Sequence, residues 1–430
     1  MGKQRPIIYN VLLLTGVNLL LRFVSTSFQV YLSGRVGAEG IGLLQLVLSV
    51  GGLALTIGMG GIRTATMYLC AEVVGQKRES SIAWVLSGCI TYSMCVSIGV
   101  SLLLYQCAPI IAKVWVGTEE TASSIRLFAG FLPVSCLCGV MVGYYTGINK
   151  IATLTIVEIC EQFCSMTVTV LLLVFWSGAN VMKACMSVII GSGLGACTTL
   201  VLLVIIKHRQ GDYIGPQIHI RKKLLDTAVP LAVADSFKAG ISTTENLMVP
   251  KRLRLFAGES NPLAAFGMMC GMVFPVLMFP AAILYGLAEL LIPEIARCNA
   301  AGSIKRIRHL TGKSLRLTTI YGLLCGGILY VLADKLCMKL YSEPEAGQYL
   351  KGYALLAPML YCDIIIDAIT KGLGQQKLCV RNNIITSVMD VAMLFVLLPM
   401  YGMKGYFFSF FISHFVNLLL SIRLLISSSS

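Results

Sequence analysis

Uninterrupted apolar runs of about 20 residues recur along the whole chain, and a run of that length is what an α-helix needs to cross the hydrocarbon core of a bilayer. At about 35 residues per span and loop, the 430 residues hold about twelve such crossings. A membrane barrel is excluded, because its strands alternate apolar and polar positions, whereas these runs are continuous. Composition agrees: 57% of the residues are hydrophobic, 13% are charged and mean hydropathy is +0.81, which leaves no room for a large soluble domain. The chain is predicted to be an all-α, polytopic membrane protein. Its spans fall near 7–33, 41–70, 81–107, 124–147, 151–176, 182–206, 224–249, 264–293, 314–336, 350–373, 378–400 and 402–425.

The net charge of +14 would suggest nucleic acid in a soluble protein. Here it fits loops facing anionic membrane lipids, and no nucleic-acid partner is expected. With a cytoplasmic N-terminus, 20 basic residues fall in inside segments and 11 in outside ones. That asymmetry predicts a multi-pass protein of the cell (plasma) membrane with both termini in the cytoplasm. Lys3 and Arg5 precede the first apolar run as in a signal peptide, but the run is too long, contains Arg22 and lacks a small-residue cleavage site. It is read as helix 1.

Most of the sixteen cysteines sit inside apolar runs and read as small buried hydrophobes. Cys136 with Cys138, and Cys160 with Cys164, have no nearby histidine to complete a zinc set. No metal or cofactor is expected. Phosphate-loop and metalloprotease signatures are absent, so transport, not enzymatic turnover, is the default.

The polar stretch 207–223 separates six spans from six, predicting an N-lobe (1–206), a basic cytoplasmic linker (207–223) and a C-lobe (224–430). A constant offset of 225 aligns Gly42 with Gly267, Gly61 with Gly286, Ala71 with Ala296, Pro133 with Pro358 and Gly147 with Gly372. Two six-helix repeats of the same orientation are the parallel-repeat arrangement of many transporters, with substrate expected in a central cavity between the lobes.

Ionisable residues within spans are expensive in hydrocarbon and usually face a wet cavity or a partner. On helix 1, Asn18, Arg22, Ser25 and Gln29 form one polar stripe. Arg22 reads as an anion ligand or as one half of a structural ion pair, and Arg63 on helix 2 as a cavity residue or a snorkelling one. On helix 5, Glu158 and Glu161 either bind a proton or sodium ion or neutralise the arginines. On helix 7, Asp235, Lys238, Ser242 and Glu245 share a face, with an Asp235–Lys238 internal pair as the plain alternative. Helix 10 adds Asp363, Asp367 and Lys371, and helix 11 Asp390. The N-lobe is balanced and the C-lobe net acidic, so charge alone does not choose between an anionic and a cationic substrate.

Gly37–Leu43 (GAEGIGL), Ala71 and Glu72, Glu161 and Gln162, and above all Gly271–Ile295 (GMVFPVLMFPAAILYGLAELLIPEI) resemble the stage V sporulation protein B group of polysaccharide transporters. That group falls in the superfamily of the multidrug and toxin extruders and the murein-precursor flippase. The resemblance runs over nearly the whole chain and implies two six-helix lobes, alternating access, and a lipid-linked oligosaccharide as cargo, its diphosphate crossing through the cavity. Arg22 matches a basic family position, whereas Gln29 stands where a second arginine is usual, Arg63 where proline is, and Tyr68 where lysine is.

The leading expectation is therefore a flippase of a polyprenyl-diphosphate-linked oligosaccharide for cell-wall, spore or exopolysaccharide synthesis. Arg22, Arg63, Asn18, Gln29 and Lys238 would bind substrate. Glu158, Glu161, Asp235, Glu245, Asp363, Asp367 and Asp390 would sense a proton or sodium ion. A proton- or sodium-coupled multidrug antiporter is the alternative, and a non-transporting scaffold that recruits glycosyltransferases is the third reading.

Overall fold

A computed structural model describes residues 4–76, 81–178, 180–209, 221–258 and 260–429. The α-helices are α1 (Gln4–Met59), α2 (Ile62–Gly75), α3 (Ile82–Ile111), α4 (Thr121–Gly147), α5 (Ile151–Leu172), α6 (Val181–Arg209), α7 (Arg221–Leu253), α8 (Pro262–Met268), α9 (Phe274–Met278), α10 (Ala281–Ala300), α11 (Ile304–Tyr341), α12 (Pro344–Ala354), α13 (Ala357–Gly372), α14 (Gln376–Tyr401) and α15 (Met403–Ser429).

Among the described residues, eight helical stretches are long and apolar enough to cross a membrane, and ten if each of two bent pairs makes one crossing. The first stretch, Leu19–Gly75, has 57 residues. At 1.5 Å per residue it runs roughly 85 Å, more than twice a ~30 Å hydrocarbon core. Gly37, at φ 75° and ψ 172°, breaks it into two crossings. Helix α7 is 33 residues long but carries Asp226, Asp235, Lys238 and Glu245, too many charges for an ordinary apolar span. Counting both brings the total to the expected twelve.

The bent pairs meet at 61° (α8–α9 with α10) and 57° (α12 with α13). Backbone polar groups in lipid must be satisfied within the protein. At the first bend Pro280 has no N–H to give, and two tyrosines supply donors: Tyr361 Oη donates to Leu277 O at 2.8 Å and Tyr321 Oη to Pro280 O at 2.9 Å.

The chain divides into two compact units, Leu43–Thr243 and Met1–Gly42 with Thr244–Ser430. This differs from the division expected at 207–223, of which residues 210–220 lie outside the described residues. Residues 1–42 group with the C-terminal half, and α7 up to Thr243 groups with the N-terminal half. Small residues explain both. A Cβ on Gly267 would collide with the Ala38 carbonyl, and one on Gly42 with the Leu263 carbonyl, so the two backbones touch. A Cβ on Gly61 would come within 2.5 Å of the Ala228 carbonyl on α7. Thr243 Oγ1 donates to Ser49 O at 3.2 Å, and Lys223 Nζ pairs with Glu72 Oε1 at 2.5 Å.

The 225-residue offset recurs in these packing contacts. A Cβ on Gly147 would lie 2.7 Å from Met67 O and 2.9 Å from Cys70 Cβ; on Gly372 it would lie 2.8 Å from Ile292 O and 2.8 Å from Ile295 Cβ, each residue shifted by the same step. Likewise Ser101 Oγ donates to Ala129 O at 2.6 Å, and a Cβ on Gly326 would stand 2.6 Å from Ala354 O.

Candidate functional site

The unit Leu43–Thr243 carries the site. Gly60 (φ 49°) and Gly61 (φ 68°) interrupt the second crossing, and α2 restarts at Ile62. Gly61 has two reasons to be glycine, the left-handed backbone and the close approach of α7. The restart leaves the first N–H groups of α2 without helical acceptors and puts Arg63 in its first turn. On the other side α4 presents Gly139, Gly143 and Gly147 on one face, spaced by four. Helix α2 lies directly on this strip, the Arg63 carbonyl against Gly143. Below, Ile62, Ala65, Leu69, Val140, Tyr144 and Tyr145 pack with Leu224 and Ala228 of α7 into a buried core.

Two cavities share the wall formed by Met59 and Arg63. The first, about 420 Å³, lies among α1, α2, α4, α5 and α6; its lining is mainly apolar, with Glu158, Glu161, Thr199, Ser192, Ser135 and the Cys138 thiol as the polar groups besides Arg63. Thr199 Oγ1 donates to Glu161 Oε2 at 2.6 Å. The second, about 430 Å³, is lined by Arg63, Thr56 and Thr64 on one side and Asp235, Lys238 and Ser242 of α7 on the other. Among the described residues no carboxylate oxygen lies within 4.0 Å of Arg63 or Lys238, so the internal Asp235–Lys238 pair does not form. Among the described residues, two cations without an ion-pair partner and one carboxylate thus meet in a hydroxyl-lined hollow, an arrangement that can hold an anion with polar substituents.

The other predicted residues belong to the second unit. Arg22 lies over the ring of Tyr285, its Cζ 4.9 Å from the centroid, and Gln29 Nε2 donates to Gly271 O at 3.3 Å. The Asn18 side chain lies outside the described residues. Glu245 and Asp390 lie near enough for their charges to interact, and Ser409 Oγ donates to Asp390 Oδ1 at 2.5 Å. Asp363 accepts from Asn417 Nδ2 at 3.0 Å, with His414 Nδ1 at 3.5 Å. Asp367 pairs with Lys371 at 2.5 Å and accepts from Cys379 Sγ at 2.6 Å. The two α13 carboxylates are thus each satisfied by separate partners.

Thr199, Thr56 and Thr64 escape sequence reading because a hydroxyl in an apolar run gives no charge signal, and each can satisfy itself on its own helix. His414 and Asn417 lie three apart on α15, a spacing that a search for polar faces would have caught.

An all-helical, multi-pass architecture with interrupted helices and charged cavities defines a membrane transporter. The chain belongs to the MatE family, whose model matches residues 14–171 and 253–396; it is a transporter of the MATE/MOP superfamily. It is 22% identical to stage V sporulation protein B of Bacillus subtilis (strain 168) over 423 residues, covering 94% of this chain and 80% of that protein. It is 24% identical to sporulation protein YkvU of the same organism over 283 residues, 62% of each. Among solved structures, a multidrug resistance MATE family transporter in an inward-facing conformation superposes with a TM-score of 0.78 at 12% identity, over 96% of this chain and 98% of that one. A MOP superfamily transporter from Pyrococcus furiosus Vc1, for which reverse polarity of the binding pocket suggests a different function, gives 0.66 at 13%, over 97% and 94%.

Proposed function

We propose that this transporter flips a polyprenyl-diphosphate-linked oligosaccharide across the cell membrane by alternating access, for cell-wall, spore or exopolysaccharide synthesis, with both termini in the cytoplasm. The observation that carries the reading is the second cavity: Arg63 and Lys238, both unpaired, face about 430 Å³ lined with hydroxyls, and a single carboxylate, Asp235, shares it. A diphosphate satisfies two cations at once through charge-assisted bonds, and hydroxyls suit the attached sugar. The volume falls within the range of about 300–1,000 Å³ of small-molecule sites. In the other unit Arg22, stacked on Tyr285, with Gln29 and Asn18 on its helix, would by itself offer a cation to a diphosphate. The kinship with two sporulation proteins points the same way. Glu158 and Glu161 of the first cavity would take the coupling proton or sodium ion.

A second reading, a proton- or sodium-coupled antiporter of organic cations, is favoured by the acidic groups of the other unit, Asp363 with His414 and Asn417, and Glu245 with Asp390. Purified protein in vesicles decides between them. Translocation of a fluorescent polyprenyl diphosphate sugar that is lost in the Arg63→Ala, Lys238→Ala double variant supports the first; cation efflux that is lost in Asp363→Asn supports the second. Flipping unchanged in the double variant sinks the diphosphate assignment.

A further inference from the structure

Among the described residues, Arg63 is the only charged one lining both cavities. From α2 it faces Glu158 and Glu161 of α5 on one side, and Lys238 and Asp235 of α7 on the other. Helix α4 adds one titratable group, the Cys138 thiol, beside the Ser135 hydroxyl, and α6 only uncharged groups such as Thr199 and Ser192. One guanidinium therefore stands between a di-acid pocket and an anion pocket. Coulomb attraction in a mainly apolar, low-dielectric lining is far stronger than in water. While both glutamates are ionised, they hold the guanidinium's field on their own side and repel an anion beyond it.

We infer that Arg63 couples the cavities: a monovalent cation bound at Glu158 and Glu161 and an anion bound at Arg63 and Lys238 each strengthen the other's binding. The inference rests on the anion-binding reading of the second cavity. Neutralising the glutamates releases the guanidinium to the second cavity, and an anion there draws it away from the glutamates, which then hold their cation more tightly. Coupling of this kind is reciprocal by linkage and commonly worth five- to 150-fold, roughly, in affinity. Cation and diphosphate cargo would thus load together.

The test measures binding of a short-chain isoprenyl diphosphate sugar, a diphosphodiester that does not titrate between pH 5.5 and 8.0, to the full-length protein in nanodiscs. Sodium-free buffer is used first, then increasing NaCl at pH 8.0. Expected is affinity about tenfold higher at pH 5.5 than at pH 8.0, or an equal gain on adding sodium at pH 8.0; which of the two occurs identifies the cation. The Glu158→Gln, Glu161→Gln double variant should bind at pH 8.0 without sodium as tightly as wild type loaded with whichever cation acts, with no response to acid or sodium. Asp235→Asn should keep the response. Wild-type binding that is measurable yet flat to both cations overturns the coupling while leaving the anion site standing, as does a response that disappears in Asp235→Asn. Absence of binding under every condition, in protein whose thermal unfolding is cooperative, defeats the anion-site reading itself. If the double glutamate variant fails to fold, Thr199→Val, which removes only the hydroxyl bound to Glu161, must shift the midpoint of the acid or sodium response, whichever wild type shows, for the coupling to stand.

Discussion

The backbone of Gly143 on α4 lies against the carbonyl of Arg63, so close that a Cβ at position 143 would strike that oxygen. The position of the arginine is therefore set by a glycine eighty residues away, through backbone contact and not through any side-chain bond.

Gly143→Val should push α2 off α4 and move Arg63 with it. Overpacking of this kind costs about 1–3 kcal/mol. A fall in the thermal midpoint of the purified protein together with loss of diphosphate binding is the expected result; a variant with wild-type stability and affinity would show that the contact is not needed.

Gly61→Ala meets two penalties at once, a left-handed backbone (φ 68°) and the Ala228 carbonyl at 2.5 Å. Left-handed backbone in a residue with a side chain costs about 1–2 kcal/mol, and the steric conflict adds to it. Gly60→Ala faces only the Tyr92 hydroxyl at 3.0 Å, the end of a movable side chain, besides its own φ of 49°. The thermal midpoint should fall further for position 61 than for position 60.

Arg63→Lys keeps the charge but loses the forked geometry that grips a phosphate bidentately. We expect diphosphate affinity to drop by about tenfold, the size of one charge-assisted bond. Lys238→Ala should do at least as much, since it removes the other unpaired cation. Equal affinity in wild type and both variants, measured by isothermal titration, would remove the second cavity from consideration.

Tyr361→Phe removes the hydroxyl that serves the Leu277 carbonyl at the 61° bend. A buried acceptor left unserved costs about 1–3 kcal/mol. Unfolding in a denaturing detergent series should register this loss, and Tyr321→Phe should behave similarly through Pro280.

Hydropathy along the chain was enough to read the membrane class, the helical architecture and the crossings, because each crossing must satisfy lipid by itself. The duplication was also legible: a fixed step of 225 between glycines marks equivalent close contacts, as Gly147 and Gly372 demonstrate. Arg63, Lys238, Glu158 and Glu161 stood out for their rarity within apolar runs. What could not be read was their pairing. Asp235 and Lys238 sit three apart on α7, where a plain ion pair is the natural guess, yet they do not bond.

Local periodicity and transfer free energy thus account for which segments are helices and which of their charges are costly, since both act residue by residue. How the helices group depends instead on where small residues far apart in the chain let backbones approach. Gly42 with Leu263, and Gly61 with Ala228, are such places, and no window on the sequence contains both partners. The same reason keeps the place of Arg63 on the wall of both cavities out of sight until α4, α5 and α7 have packed near it.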